Sequence, residues 1–265
     1  MSEPDPSRAA LRAHLLATRL SGDTATSRAN AVEHAFQLAD EDPDKALGLG
    51  RRGRDARGVL EAVAALCGCS SDPDDRDGPG VIAPDKTLEG LDAMAARLAK
   101  AAANRERVLI VTGHPTALPP WYRRVAHALE AAGCEILAPL EDERLERPRG
   151  ILKGRDSGPK LWRYFDEVGI FCIGWRLVHT HESWPMDALL DAVTPDLVLG
   201  DHGFAGAAAA RGVSTIAITD VNDPAIAVGW VDGLFEAVVP LDDNLPPRVY
   251  LPLADACVAA ITASE

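Results

Sequence analysis

The stretch VLIVTGHPTA, residues 108–117, decides how this chain is read. Val108, Leu109, Ile110 and Val111 form a short β-favouring apolar run, of the kind that is buried on both faces in a parallel sheet. The run breaks at Gly113, which permits a turn. Pro115 suits the first turn of a helix, where its missing N–H has no intrahelical partner. A strand that turns into a helix N-terminus is where open α/β sheets receive anions, because free amides and the helix dipole both favour negative charge. Gly113, His114 and Thr116 are therefore the expected phosphate-binding group. An ordinary βα loop, with His114 capping the helix, is the plain alternative.

Downstream, the β-then-α rhythm repeats. A helix over Trp121–Ala132 leads to a strand over Cys134–Ala138, which completes a βαβ unit of the usual right hand. Further strands are expected over Asp196–Gly200, Val213–Thr219 and Ala237–Val239, with helices over Gly206–Arg211 and Val249–Ala263. Two β-rich runs within Leu161–Val178 predict an antiparallel hairpin with its turn near Ile173-Gly174. Upstream, residues 7–70 read as helical, with apolar stripes at Ala10, Leu11, Leu15 and Leu20, then over Thr26–Ala39 and Val59–Leu66. An acidic, turn-rich linker over Ser70–Pro84 follows, and an amphipathic helix starts at Asp85 or Thr87. The expected division is residues 1–84 as a helical N-terminal region with linker, and 85–265 as the α/β domain that carries the site.

The composition narrows the function classes. Of 265 residues, 47% are hydrophobic and 25% charged, as in an ordinary globular protein. A net charge of −13 lacks the basic footprint that a nucleic-acid partner requires. No apolar run reaches the roughly 18 residues of a spanning helix, and the N-terminal segment does not read as a signal peptide, so no membrane partner and a cytoplasmic location are expected. Five cysteines in mostly apolar surroundings fit reduced thiols, and Cys67-Gly68-Cys69 has neither redox nor zinc-site spacing. The insertion Glu141–Lys160 turns from acidic to basic at Arg144, Arg147, Arg149, Lys153, Arg155 and Lys160; it is either a solvated face or a receiver of anions.

Polar residues recur where the expected strands end. After Gly113-His114 come His179-Thr180-His181, then Asp201-His202, then Asp220-Val221-Asn222-Asp223. Ligands of open α/β sheets bind at those carboxyl ends. In extended chain His179 and His181 point to one side and can approach one ligand. Two schemes fit. In one, the loop amides and protonated imidazoles hold a phosphoryl group, Asp201 is base or nucleophile, and a histidine is the acid. In the other, His179, His181, His202 and Asp201 or Asp223 hold a divalent metal ion (Mg2+, Mn2+ or Zn2+) that activates water. The catalytic candidates are thus Asp201, His202, His179, His181 and Asp223. No P-loop, GxGxxG or GxSxG signature is present.

The motifs VTGHPTAL, LVHTHESWPM, GDHGFAGAAAARGV and ITDVNDPA…VVPLDDN, in this order, resemble an actinobacterial family labelled phosphatase. The resemblance spans most of the chain and implies a hydrolase acting on a small phosphorylated metabolite. GVSTIAITDVNDP followed by VVPLDDN is also similar, over a short span, to ribosomal protein S2, which bears on fold alone. The fold expected is therefore an open, mainly parallel flavodoxin-like or S2-like α/β sheet with an inserted β-hairpin and an N-terminal helical region. The alternatives in function are a non-catalytic binding module for an anionic metabolite and a sugar-phosphate isomerase or lyase.

Overall fold

In the computed structural model, which describes residues 6–146 and 158–263, Val108–Val111 lie at the middle of the sheet with no exposed surface. The chain runs α1 (Pro6–Thr18), β1 (Gly22–Ser27), α2 (Arg28–Ala39), α3 (Ala56–Cys67), β2 (Pro79–Ile82), α4 (Pro84–Asn104) and β3 (Arg107–Thr112). It continues through α5 (Pro119–Ala131), β4 (Glu135–Ile136), β5 (Arg144–Leu145), β6 (Lys160–Phe165), β7 (Val168–Ile173), β8 (Arg176–Leu177) and α6 (Trp184–Ala192). Then come β9 (Leu197–Asp201), α7 (His202–Ala210), β10 (Thr215–Thr219), α8 (Pro224–Val231), β11 (Ala237–Pro240), a 3-10 turn and α9 (Leu251–Thr262).

The large sheet has the order β11-β10-β9-β3-β7-β6-β5, with β4 also on β3 and β8 on β7. β3, β4, β9, β10, β11 and β7 are joined by parallel pairings, whereas β5, β6 and β8 attach antiparallel. Two strands share one edge of β3. Its first residues, Arg107 and Val108, pair with β4, and its last, Val111 and Thr112, pair with β7.

Alternation along β3 sets the layers. Val108 and Ile110 join a core with residues of α1, α4, α5 and α9. Leu109 and Val111 face the other way, into a core with α6 and α7. On that second side Ala217 and Val238 meet α2, α3 and α8. The period of two, with both faces apolar, is what a sheet covered by helices on each side requires. No helix among the described residues is long and apolar enough to cross a membrane.

Four local expectations change. The N-terminal region is not wholly helical, since β1 and β2 pair antiparallel; a two-stranded ribbon made from distant short segments leaves little periodic signal. The helix after the first loop begins at Pro119, not Pro115, because 114–118 form turns onto the His114 carbonyl. The long hairpin turns at Asp166-Glu167, both left-handed (φ 54° and 72°), and Ile173-Gly174 is the smaller turn into β8. That geometry matches the twist of paired strands and usually recruits Gly or Asn, so two acids there carry no turn signature. The strand expected over Cys134–Ala138 shrinks to Glu135–Ile136, beyond which β7 takes the edge of β3. Arg147, Arg149, Lys153 and Arg155 of the basic insertion lie outside the described residues.

Candidate active site

Because β3, β9, β10 and β11 run parallel, the loops that follow them open on the same side of the sheet. β3 delivers His114, β9 ends in Asp201 and hands over to His202, the β10 loop brings Asp223, and the β11 loop brings Asp243. The segment after β8 brings His179 and His181, and is tied to the first loop by the Thr180 amide donating to the Gly113 carbonyl (3.2 Å). Four imidazoles gather there. Ring centroids are 4.1 Å apart for His114–His202, 4.3 Å for His114–His179, 4.7 Å for His181–His202 and 5.3 Å for His179–His202.

Two glycines allow the close approach. A Cβ at Gly203 would stand 2.2 Å from the His181 carbonyl oxygen, and one at Gly206 would stand 1.8 Å from that of Leu47. The first lets the histidine segment cross the start of α7. The second seats the loop that follows α2 on the same helix, which carries Asp44 to 3.4 Å from His181 Nδ1. Lys45 Nζ in turn donates to Asp44 (2.8 Å).

His202 is the hub. Its Nε2 lies 3.4 Å from Asp223 and 3.5 Å from Asp243, and its Nδ1 lies 3.9 Å from Asp201, near enough for charge but beyond hydrogen-bond range. Asp243 reaches His114 Nε2 with its other oxygen, also at 3.5 Å. His202 holds a left-handed backbone, φ 47°, which costs a residue with a Cβ about 1–2 kcal/mol. Asp201 is fully buried and has both oxygens engaged, one by the Gly113 amide (2.7 Å) and one by the Tyr122 hydroxyl (3.2 Å).

Burial and neighbouring imidazoles push His114 down to about 2. The same causes lower His179 and His181, so these three rings are neutral and carry free lone pairs. For His202 burial acts in the same direction, but Asp223 and Asp243 outweigh it and hold its pKa well above the ordinary value. Burial opposes the charge on Asp223, which the facing His202 overcomes, keeping it ionised below the usual carboxylate range. Asp243 and Asp201 are pushed up by burial against the pull of His202. Three buried atoms of the cluster, His114 Nδ1, His202 Nδ1 and Asp243 Oδ2, have no hydrogen-bond partner. An unpaired buried polar atom costs about 1–3 kcal/mol, so three in one place mark a site shaped for something else to fill. Neutral imidazoles and carboxylates are the ligand forms that divalent transition metals take, and His114, His179 and His202, or His181, His202 and Asp223, bring ligand atoms within 4.8 Å of one another.

The structure thus brings together His114, His179, His181, Asp201, His202 and Asp223. It places others elsewhere. The Gly113 amide is engaged by Asp201 and the His114 amide by the Thr112 hydroxyl (2.9 Å), while Thr116 is exposed on the turn. Asp220 accepts from the Thr26 hydroxyl (2.5 Å) and Asn222 bonds Asn30 and His34, so both face the N-terminal region. His14, His34 and His127 lie outside the site and bond Val249, Asn222 and Asp166 respectively.

Sequence reasoning passed over Asp243, Tyr122, Asp44 and Lys45. Asp243 follows the last strand and obeys the same strand-end rule as the others. Asp44 and Lys45 stand in a charged connector with no periodic signal, and only the seat on α7 brings them in.

The chain matches, over residues 6–265, the family model described as Phosphatase. It is 40% identical over 257 residues to a protein of Streptomyces coelicolor (strain ATCC BAA-471 / A3(2) / M145) named Phosphatase SCO2771, with 94% of each chain covered.

Proposed function

The chain belongs to the Phosphatase family, and from that premise we propose that it hydrolyses the phosphomonoester of a small phosphorylated metabolite at the carboxyl ends of its parallel strands. The observation that carries this reading is the convergence of four imidazoles with Asp201, Asp223 and Asp243 from five separate loops. The parallel order β4-β3-β9-β10-β11 supports a flavodoxin-like arrangement, in which ligands bind where the strand order reverses, at β3 and β9. Five unpaired cysteines fit a cytoplasmic setting.

The residues fall into two shells of depth. His114, His202, Asp201, Asp223 and Asp243 are buried, whereas His179, His181 and Lys45 stand nearer solvent. The neutral rings of His114, His179 and His181, with Asp223 and with His202 once a cation displaces its proton, are the groups to hold a divalent cation of the Mg2+, Mn2+ or Zn2+ class. Such a cation, when bound, withdraws charge from a phosphoryl group and acidifies a bound water. Asp201, occupied on both oxygens, positions the His114 loop and is not free to attack. Asp243, raised by burial and set between His114 and His202, is the group to take a proton from water and return it to the leaving oxygen. Lys45 receives the phosphate dianion at the rim.

Incubating the purified protein with sugar, nucleotide and amino-acid phosphates, with and without Mg2+, Mn2+ or Zn2+, and measuring released phosphate tests the reading. Turnover is expected with a metal present. Asp223→Asn should lower kcat by roughly 10²-fold or more while the fold persists. No phosphate release in any condition, together with stabilisation by the same compounds, would instead make this a binding module.

A further inference from the structure

The five candidate ligand residues exceed the three that one catalytic zinc takes. A catalytic zinc-type ion is held by three protein ligands and keeps a position open for water or substrate. Here two such trios exist, His114 with His179 and His202, and His181 with His202 and Asp223. His179 and His181, two residues apart, do not serve one trio as expected; each ring goes to a different one. His202 belongs to both, and its two nitrogens face different neighbours, Nδ1 toward Asp201 and Nε2 toward Asp223 and Asp243. Asp243 likewise divides its oxygens, one toward His114 and one toward His202.

The charge balance points the same way. Asp201, Asp223 and Asp243 are buried together around one protonated imidazole, His202, and among the described residues no Lys or Arg forms an ion pair with any of the three. Buried carboxylates require compensation, and bound cations are the strongest local charges that supply it. The three unpartnered buried atoms belong to His114, His202 and Asp243, which lie against one another, and His202 is shared by the two trios.

We propose that the site holds two divalent cations per chain, one on the His114–His179 side and one on the His181–Asp223 side, with Asp243 and His202 between them, His202 releasing both ring protons to solvent as the cations bind. This rests on the reading of the cluster as a metal centre. Paired cations in phosphate-processing sites clamp both the attacking and the leaving oxygen, so a phosphoryl group is the ligand class that spans them.

The test is metal stoichiometry on the full-length protein, stripped by a chelator, reloaded with excess Mn2+ or Zn2+ and desalted. Elemental analysis should return two ions per chain. The Mn2+-loaded protein should show the electron paramagnetic resonance spectrum of an exchange-coupled pair, a readout that needs no variant. His179→Ala and Asp223→Ala, checked for folding by circular dichroism, should each retain about one ion. One ion per wild-type chain with an isolated-Mn2+ spectrum would overturn the pair and leave a single-metal phosphatase standing. No retained ion would overturn the metal reading as a whole. Two coupled ions without phosphate release would uphold the pair and sink the proposed reaction instead.

Discussion

At His202 one imidazole meets Asp201, Asp223 and Asp243 at 3.4–3.9 Å on a backbone held left-handed. Strain of this kind persists only where the surroundings over-determine it, here a buried strand end leading into a buried helix. Lys45 is the contrasting case, a cation whose side chain is only 13% exposed yet whose partner Asp44 is 62% exposed. If it receives the substrate phosphate, Lys45→Met should raise KM by about tenfold or more with a smaller change in kcat, the loss expected for one charge-assisted hydrogen bond. Steady-state kinetics decide it, and Lys45→Arg should recover part of the affinity. His114, Asp201, His202 and Asp223 were legible because the ends of parallel strands share one side whatever the helices do, and His179 and His181 because residues two apart in extended chain point the same way. Asp44 and Lys45 were not, because their approach depends on a glycine on another element.

Among elements, the connector between α2 and α3 is the part whose placement is least local. It is fixed at one end by Leu47 against Gly206, and at the other by Arg52 and Arg54, both bonded to Asp232 just past α8 (Arg54 at 2.6 Å). Gly206→Val should therefore destabilise by about 1–3 kcal/mol through overpacking, measured by urea denaturation, and should loosen Asp44 from His181. The two guanidinium hydrogen bonds hold the Asp232 carboxyl below its usual range. A depressed acid contributes stability above its unfolded value of about 3.9 and loses it as pH falls through the lower folded value. Wild type should accordingly lose more stability than Asp232→Asn between pH 5 and pH 3, by about 0.2–1 kcal/mol, the range for partly exposed pairs. The β-then-α succession from β3 onward followed from apolar runs and glycine stops. The ribbon of β1 and β2, and the edge that β4 yields to β7, rest on pairings between distant segments that no local pattern encodes.

For the molecule as a whole, three carboxylates buried around one histidine carry a desolvation cost that a bound cation would offset. Divalent cations that bind only the folded chain should raise its melting temperature with concentration, by the equivalent of about 2.7 kcal/mol at a hundredfold excess over Kd. Differential scanning fluorimetry with Mn2+ or Zn2+ should show the rise, and Asp223→Ala should reduce it. A net charge of −13 spread over the chain adds a general attraction for cations.

The divided edge of β3 couples the two halves of the cluster. Four of the loops that build the cluster follow strands of the central parallel sheet, and these supply His114, His202, Asp223 and Asp243. Only the segment reached through β7 and β8 supplies His179 and His181, and it adds one ring to each trio. A change that displaces this one segment therefore alters both trios at once.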